Sequence, residues 1–344
     1  MKNAALWFVM ILMLWCACAG LRLWQYWRHP ARKAPTAEAC VDIPEGSGLK
    51  KIALLLEEKG VIRHAALFTL FARLLNAEHR IQSGEYCLQL PLPPAAVLAK
   101  LVRGDVRMVR ITIPEGSTVF DIARIVEHSG LAAAHEVVGT ATDPDFVRSL
   151  GYDNESLEGY LFPDTYLFTR KVTPAALLRR MVQRFSEVVG RELRHNGNAT
   201  SLPLRDIVIL ASLVEKETPQ QSEKPLIAAV FFNRLRRGMR LECDPTVQYG
   251  VRLEDPQFQG RLRKHHLLKA TPYNTYQIGG LPRGPICNPG LDAIRAVLQP
   301  AASDYLFFVS RNDGTHQFSR TLEEHNAAVQ KYQRTRPQVV GSGN

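Results

Sequence analysis

The chain has 344 residues, 46% of them hydrophobic, and a formal net charge of +10. That is enough for two or three domains with a buried core, and too apolar for a disordered chain. The basic excess is scattered through the body and gathered at Arg22, Arg28, Arg32 and Lys33; with no zinc-finger spacing or aromatic RNA-binding motif it excludes nucleic acid, and an anionic lipid surface or an acidic polymer suits it better.

Residues 4–21 carry no charge, and Gly20 interrupts them only near the end. The length just suffices for a transmembrane helix and is long for a signal-peptide core. Trp24, Tyr26 and Trp27 follow at the place of an interfacial aromatic belt. No small-x-small cleavage site is convincing, and Trp15 is ill-suited to a lipoprotein signal at Cys16 or Cys18, so residues 1–33 are expected to form an uncleaved anchor and juxtamembrane segment. The positive charge is heavier after the apolar run than before it, against the usual rule, so charge alone does not place the body outside the cytoplasm.

Residues 40–104 form a small subdomain by pattern. Ile43-Pro-Glu-Gly-Ser47 leads into a helix over 49–59 stopped by Gly60; a second helix covers 65–78, a strand 83–90 and a third helix 95–103. The opening then repeats: Ile113-Pro-Glu-Gly-Ser117 introduces a helix over 119–128. Ser47 and Ser117 are candidate helix caps. One helix is expected over 134–150, and a long one over 173–194.

The stretch 206–250 holds the most chemistry. Residues 207–214 are apolar on nearly every face at helical spacing, which marks a helix buried in a core. Glu215 and Glu217 arrive at its end, two positions apart and so on roughly opposite faces. Pro219 disfavours helical geometry at Thr218 and puts Glu217 in the last turn. The carbonyl end of the helix and the apolar neighbours both push a carboxyl pKa upward, as a general acid near neutral pH requires. A solvated or salt-bridged helix end is the plainer reading of Glu-Lys-Glu alone. Asn233, Arg234, Asp244, Thr246, Tyr249, Tyr273 and Asn274 then add hydrogen-bonding groups and aromatic faces of the kind that line sugar sites.

Residues 252–268 read as a basic loop. His265-His266 invites a metal, but adjacent histidines point apart and no third ligand has motif spacing, so no metal or other cofactor is expected. Asn288-Pro-Gly-Leu starts a helix running to Leu298; 305–310 and 316–320 make a hairpin around Asn312-Asp-Gly314; a last helix covers 322–333, and 336–344 is expected to be a disordered tail. Of six cysteines, an oxidising compartment would permit disulfides among Cys40, Cys87, Cys243 and Cys287. Sequence chooses no pairing, and buried free thiols are the plainer reading.

Several long motifs, in order, resemble the YceG-like family of endolytic murein transglycosylases. They are Leu157-Glu-Gly-Tyr-Leu-Phe-Pro-Asp-Thr-Tyr166, Ala211-Ser-Leu-Val-Glu-Lys-Glu-Thr218, Val230-Phe-Phe-Asn-Arg-Leu235, Gly238-Met-Arg-Leu241, Asp244-Pro-Thr-Val247, Tyr273-Asn-Thr-Tyr276 and Pro285-Ile-Cys-Asn-Pro-Gly290. The chain departs from the family pattern at Glu242-Cys243 and Glu223-Lys224. The resemblance implies an α+β protein with an N-terminal transmembrane helix, a LysM-like subdomain at 40–104 and a larger catalytic domain at 105–335. It implies a single-pass protein of the inner membrane with its body in the periplasm, peptidoglycan glycan strands as substrate, and synthases such as penicillin-binding proteins as candidate partners. It carries the catalytic glutamate onto Glu217, with Asn233, Asp244, Thr246, Tyr249, Tyr273 and Asn274 as candidate substrate contacts. Two other classes remain open at this point: a lysozyme-type hydrolase pairing Glu217 with Asp244, and a non-catalytic wall-binding scaffold.

Overall fold

The computed structural model describes residues 2–30, 38–196, 202–255, 258 and 260–334. The expected tail at 336–344 lies outside them, as do Arg32 and Lys33 of the juxtamembrane segment. The chain is a mixed α+β structure, mostly helical with short two-stranded sheets, and divides into two compact units: 1–109 with 167–171, and 110–166 with 172–344.

The first unit begins with α1 (Lys2–Arg28), on which Trp7, Phe8, Leu14 and Trp15 are exposed. Among the described residues no helix is long and apolar enough to cross a membrane; the side chains of residues 2–6 and 9, part of the expected span, lie outside the description. At its other end α1 packs on the unit, with Trp27 stacked on Phe71 at 4.6 Å between ring centroids. Then come β1 (Glu38–Ile43), α2 (Leu49–Glu58), α3 (Ala65–Leu74), β2 (Gly84–Gln89) and α4 (Pro94–Arg103). α2 buries Leu49, Ile52, Ala53 and Leu56, one face of a 3.6-residue repeat, against Phe68, Tyr86, Val97 and Leu101. β1 and β2 pair antiparallel with Cys40 opposite Cys87, and a disulfide joins the two. This corrects the free-thiol reading for that pair; Cys243 and Cys287 are buried and free.

The chain continues through β3 (Met108–Thr112), α5 (Val119–His128), α6 (Ala134–Ala141), α7 (Pro144–Ser149), β4 (Thr165–Thr169), which pairs with β3, and α8 (Pro174–Asn196). The single helix expected over 134–150 is two. Asp143 caps α7 by accepting a hydrogen bond from Asp145 N at 2.9 Å, and Pro144 cannot continue the helix before it. Neither repeated serine caps a helix: Gly48 occupies that place for α2, and Thr118 forms a capping box with Asp121 for α5.

The core of the second unit is α9 (Leu204–Glu217), in which Ile207 to Val214 are all buried. Around it lie α10 (Lys224–Arg236), α11 (Asp244–Glu254) and, after the short α12 (Lys264–Leu268), α13 (Leu291–Leu298). Pro245 sits in the first turn of α11, where its missing N–H is harmless. β5 (Phe307–Ser310) and β6 (His316–Ser319) form the expected hairpin, Asn312 taking the left-handed backbone at φ 64, and α14 (Leu322–Val329) follows.

Candidate active site

Glu217 is the last residue of α9; Thr218 is already extended, at φ −145 and ψ 136. The helix therefore ends at Glu217, and its side chain leaves on a different face from that of Glu215. Burial raises the Glu217 pKa above the ordinary carboxylate value, and the charge of Asp244 raises it further; a hydrogen bond from Cys243 and the more distant His316 and Arg234 only partly offset this. That bond runs from Cys243 Sγ to Glu217 Oε1 at 2.9 Å. Burial and the neighbouring Glu217 push the Cys243 thiol well above its ordinary value, so it remains protonated and is the donor.

Glu215 has a different employment. Both its oxygens accept from Lys224 Nζ at 3.0 Å, and Oε2 also accepts from Gly290 N at 3.0 Å. The Lys224 side chain is 3% exposed and that of Glu215 8%, so this is a buried ion pair set against the N-terminus of α13. Glu215 holds helices together, and Glu217, two residues on, takes no part in that ion pair.

On the other side of Thr218, Glu223 accepts from His316 N at 2.8 Å and makes a 2.7 Å contact with His316 Nδ1, while Thr218 Oγ1 donates to it at 3.3 Å. Burial by itself would raise the Glu223 pKa; the His316 bonds outweigh it and hold the group below the ordinary value. The β5–β6 hairpin is thus pinned beside the end of α9. Sequence reasoning missed this pair, since nothing in spacing links residues 93 positions apart.

The structure separates the other candidates. Asp244 and Tyr276 lie beside Cys243, and Tyr276 Oη donates to Asp244 Oδ1 at 2.7 Å on the exposed side. Asn233 is turned inward: its Nδ2 donates to Ser303 O at 3.0 Å and Tyr305 O at 2.8 Å, and its Oδ1 accepts from Arg236. Asn274 is fully buried, its Nδ2 donating to the carbonyls of Leu267 and Lys269 at 3.0 and 2.7 Å. Thr246 is fully buried too, its hydroxyl donating to Cys243 O at 2.6 Å and lying 2.9 Å from Thr275 Oγ1. All three side chains spend their polar atoms on the protein itself.

Tyr249 and Tyr273 meet edge to face at 5.0 Å and line a cavity of about 330 Å³ with Phe120, Leu253, Thr271 and Arg283. Neither Glu217 nor Asp244 lines that cavity. Tyr249 Oη donates at 3.1 Å to Glu158. Glu158 is fully buried and accepts also from Val119 N and Asn288 Nδ2, and burial pushes its pKa up to about 8 despite these donors. A charge inside the otherwise apolar run 157–162 was its signal in the sequence. His265 and His266 lie with ring centroids 4.0 Å apart rather than pointing apart, and His266 Nδ1 accepts from Arg263 N at 3.0 Å.

A family profile described as YceG-like matches residues 41–331. The chain belongs to the YceG-like family. A protein of Bacillus subtilis named endolytic murein transglycosylase is 30% identical over 323 residues, covering 88% of this chain and 87% of its own. One of the same name from Streptococcus pneumoniae is 29% identical, covering 85% of this chain but 58% of its own length. A crystal structure described as a putative yceG-like protein of Listeria monocytogenes superposes with a TM-score of 0.58 at 31% identity, over 86% of this chain and all of that one.

Proposed function

We propose that this chain is an endolytic lytic transglycosylase of peptidoglycan, cleaving the β-1,4 bond between N-acetylmuramic acid and N-acetylglucosamine within glycan strands, with Glu217 as its single acid and base. The observation that carries the reading is Glu217 itself: a carboxyl at the end of a helix whose residues 207–214 are all buried, raised in pKa by burial, in a chain whose relatives bear that activity in their names. Most glycosidases divide the work between two carboxylates. Here the protonated Glu217 gives its proton to the glycosidic oxygen as the bond from that oxygen to the anomeric carbon breaks. The resulting carboxylate takes the proton of the muramic acid 6-hydroxyl as that oxygen bonds to the anomeric carbon. The product is a 1,6-anhydro end, no water is consumed, and the enzyme regains its starting proton. A nucleophile already on the sugar exploits effective molarity.

The uncharged run 4–21 and the aromatic residues after it support a membrane anchor; a body in the periplasm, with the anchor in the inner membrane, rests on the family resemblance and not on the charge pattern. The antiparallel β1–β2 pair with two helices between its strands supports a LysM-like, glycan-binding role for the first unit, and peptidoglycan synthases remain its candidate protein partners.

The test is digestion of purified wall in oxygen-18 water. The new muramic acid ends should stay unlabelled and weigh one water less than hydrolytic ends, and Glu217→Gln should lower the rate by at least about 100-fold while wall binding persists. Heavy oxygen in the first-formed ends would replace this reading with a hydrolase in which Asp244 assists; an active Glu217→Gln would remove Glu217 from the chemistry.

A further inference from the structure

Two sequence motifs, Asp244-Pro-Thr-Val247 and Tyr273-Asn-Thr-Tyr276, contribute threonines that the reaction itself does not use. Both threonines are fully buried, and both lead to one thiol. Thr275 Oγ1 accepts from Cys243 N at 2.9 Å; Thr246 Oγ1 donates to Cys243 O at 2.6 Å; the two hydroxyls lie 2.9 Å apart. The residue before the thiol is also constrained. Glu242 has a left-handed backbone at φ 51, a conformation that side chains other than glycine seldom adopt. It is held there by Glu242 N donating to Thr275 O at 3.2 Å and by Arg234 Nη1, which reaches Leu241 O at 3.0 Å and Glu242 Oε2 at 3.1 Å. The product of these restraints is the direction of Cys243 Sγ, which meets Glu217 Oε1 at 2.9 Å.

Resting on the reading of Glu217 as the acid, we infer that Cys243, held by Thr246 and Thr275, is a positioning residue that fixes which oxygen of Glu217 carries the working proton. A thiol that stays protonated has one hydrogen to give, and it gives it to Oε1. A carboxyl oxygen that accepts is the poorer place for the proton, so the proton resides on Oε2. Among the described residues Oε2 has no hydrogen-bond partner, and it is not sealed in a buried pocket. It is the oxygen free to face a sugar. The same bond favours the carboxylate once the proton has left, which lowers the pKa against the pull of burial. Acid and base then alternate on one atom, with the other oxygen clamped.

The experiment compares full-length Cys243→Ala, Cys243→Ser, Thr275→Val and Thr275→Ser in detergent, with thermal melts to establish folding. Losing the thiol should move the alkaline limb of the kcat profile up by about one pH unit. It should also lower kcat by up to about 100-fold through lost orientation, with KM little changed. Cys243→Ser keeps a donor and should recover most of both effects. Thr275→Val should shift the limb in the same direction by less, and Thr275→Ser should behave as the parent. An unmoved limb in Cys243→Ala, or a serine variant no better than the alanine one, would overturn the inference and leave Cys243 as packing. Infrared titration of the Glu217 carboxyl, assigned by its absence in Glu217→Gln, reads the bond without turnover: its pKa should rise in Cys243→Ala. If Glu217→Gln proved active while that rise was still seen, the proposed catalytic role would fail and the thiol–carboxyl bond would stand; no rise would sink the bond's role whatever the activity.

Discussion

The chain uses the same five residues, Ile-Pro-Glu-Gly-Ser, twice, and the two copies fold into nearly the same turn. Gly46 and Gly116 take φ 72 and 73, and the serine N–H of each donates to the carbonyl of its proline, at 3.2 and 3.3 Å. Each turn leads into a helix. Their surroundings have nothing in common. Around Gly46 a side chain would meet nothing within 4 Å, and Ser47 Oγ is buried without a partner. Around Gly116 the N–H donates to Asn288 O at 2.9 Å, the carbonyl accepts from Lys216 Nζ at 3.3 Å, Ser117 Oγ donates to Pro114 O at 2.7 Å, and Glu115 stands 3.9 Å from Lys224. Five residues specify a turn because turns are local; what the turn is for is decided by partners a hundred or more positions away.

The contrast can be broken most severely at Glu215. Glu215→Gln removes the carboxylate from buried Lys224 beside the second turn and should lower the unfolding free energy by about 3–5 kcal/mol in denaturant titration. Glu45→Gln in the exposed first turn should stay within about 0.5 kcal/mol; equal losses would show the two settings to be alike after all. Glu158 sharpens the contrast through pH. Its folded pKa of about 8 lies above the ordinary 4.5, so its contribution is full below pH 4.5 and is lost as pH rises through 8. Stability of the second unit should therefore fall across that window, and Glu158→Gln should flatten the fall; an unchanged slope would assign it to other groups. The smallest effect separates the two serines. Ser117→Ala should lose about 1 kcal/mol with its hydrogen bond, while Ser47→Ala, removing an unpaired buried hydroxyl, should be neutral or slightly stabilising.

What sequence could read followed from periodicity and turn chemistry. α9 was legible because residues 207–214 are apolar on nearly every face, and the divergence of Glu215 from Glu217 because the helical repeat is fixed at about 100° per residue. The β5–β6 hairpin was legible in Asn312-Asp-Gly314. α11 was missed because Pro245 and Gly250 resemble loop punctuation, although a proline in a first turn is compatible with a helix. The inward turn of Asn233 was illegible for a different reason. An amide that lines a sugar site and one that staples a distant carbonyl are the same residue type, and its acceptors, Ser303 and Tyr305, are 70 and 72 positions away. The disulfide required the register of two strands separated by two helices. Cys243 stood out only as a departure from the family pattern, because its role is defined by the one carboxyl it touches.

Asn288 ties three loops with one side chain and its own backbone. Its Oδ1 accepts from Leu161 N at 2.8 Å, its Nδ2 donates to Ser117 O and to Glu158 Oε1 at 2.9 Å, and its N–H and carbonyl bridge Ser117 O and Gly116 N. The consequence concerns how such a protein can vary over time. Aspartate would turn a second carboxylate on Glu158, leucine would orphan an amide and a carbonyl together, and glutamine is one methylene too long for a fully buried position. Leu161 N and Ser117 O are backbone groups that any residue at those positions would present, so the one side chain that must suit a change at 288 is Glu158.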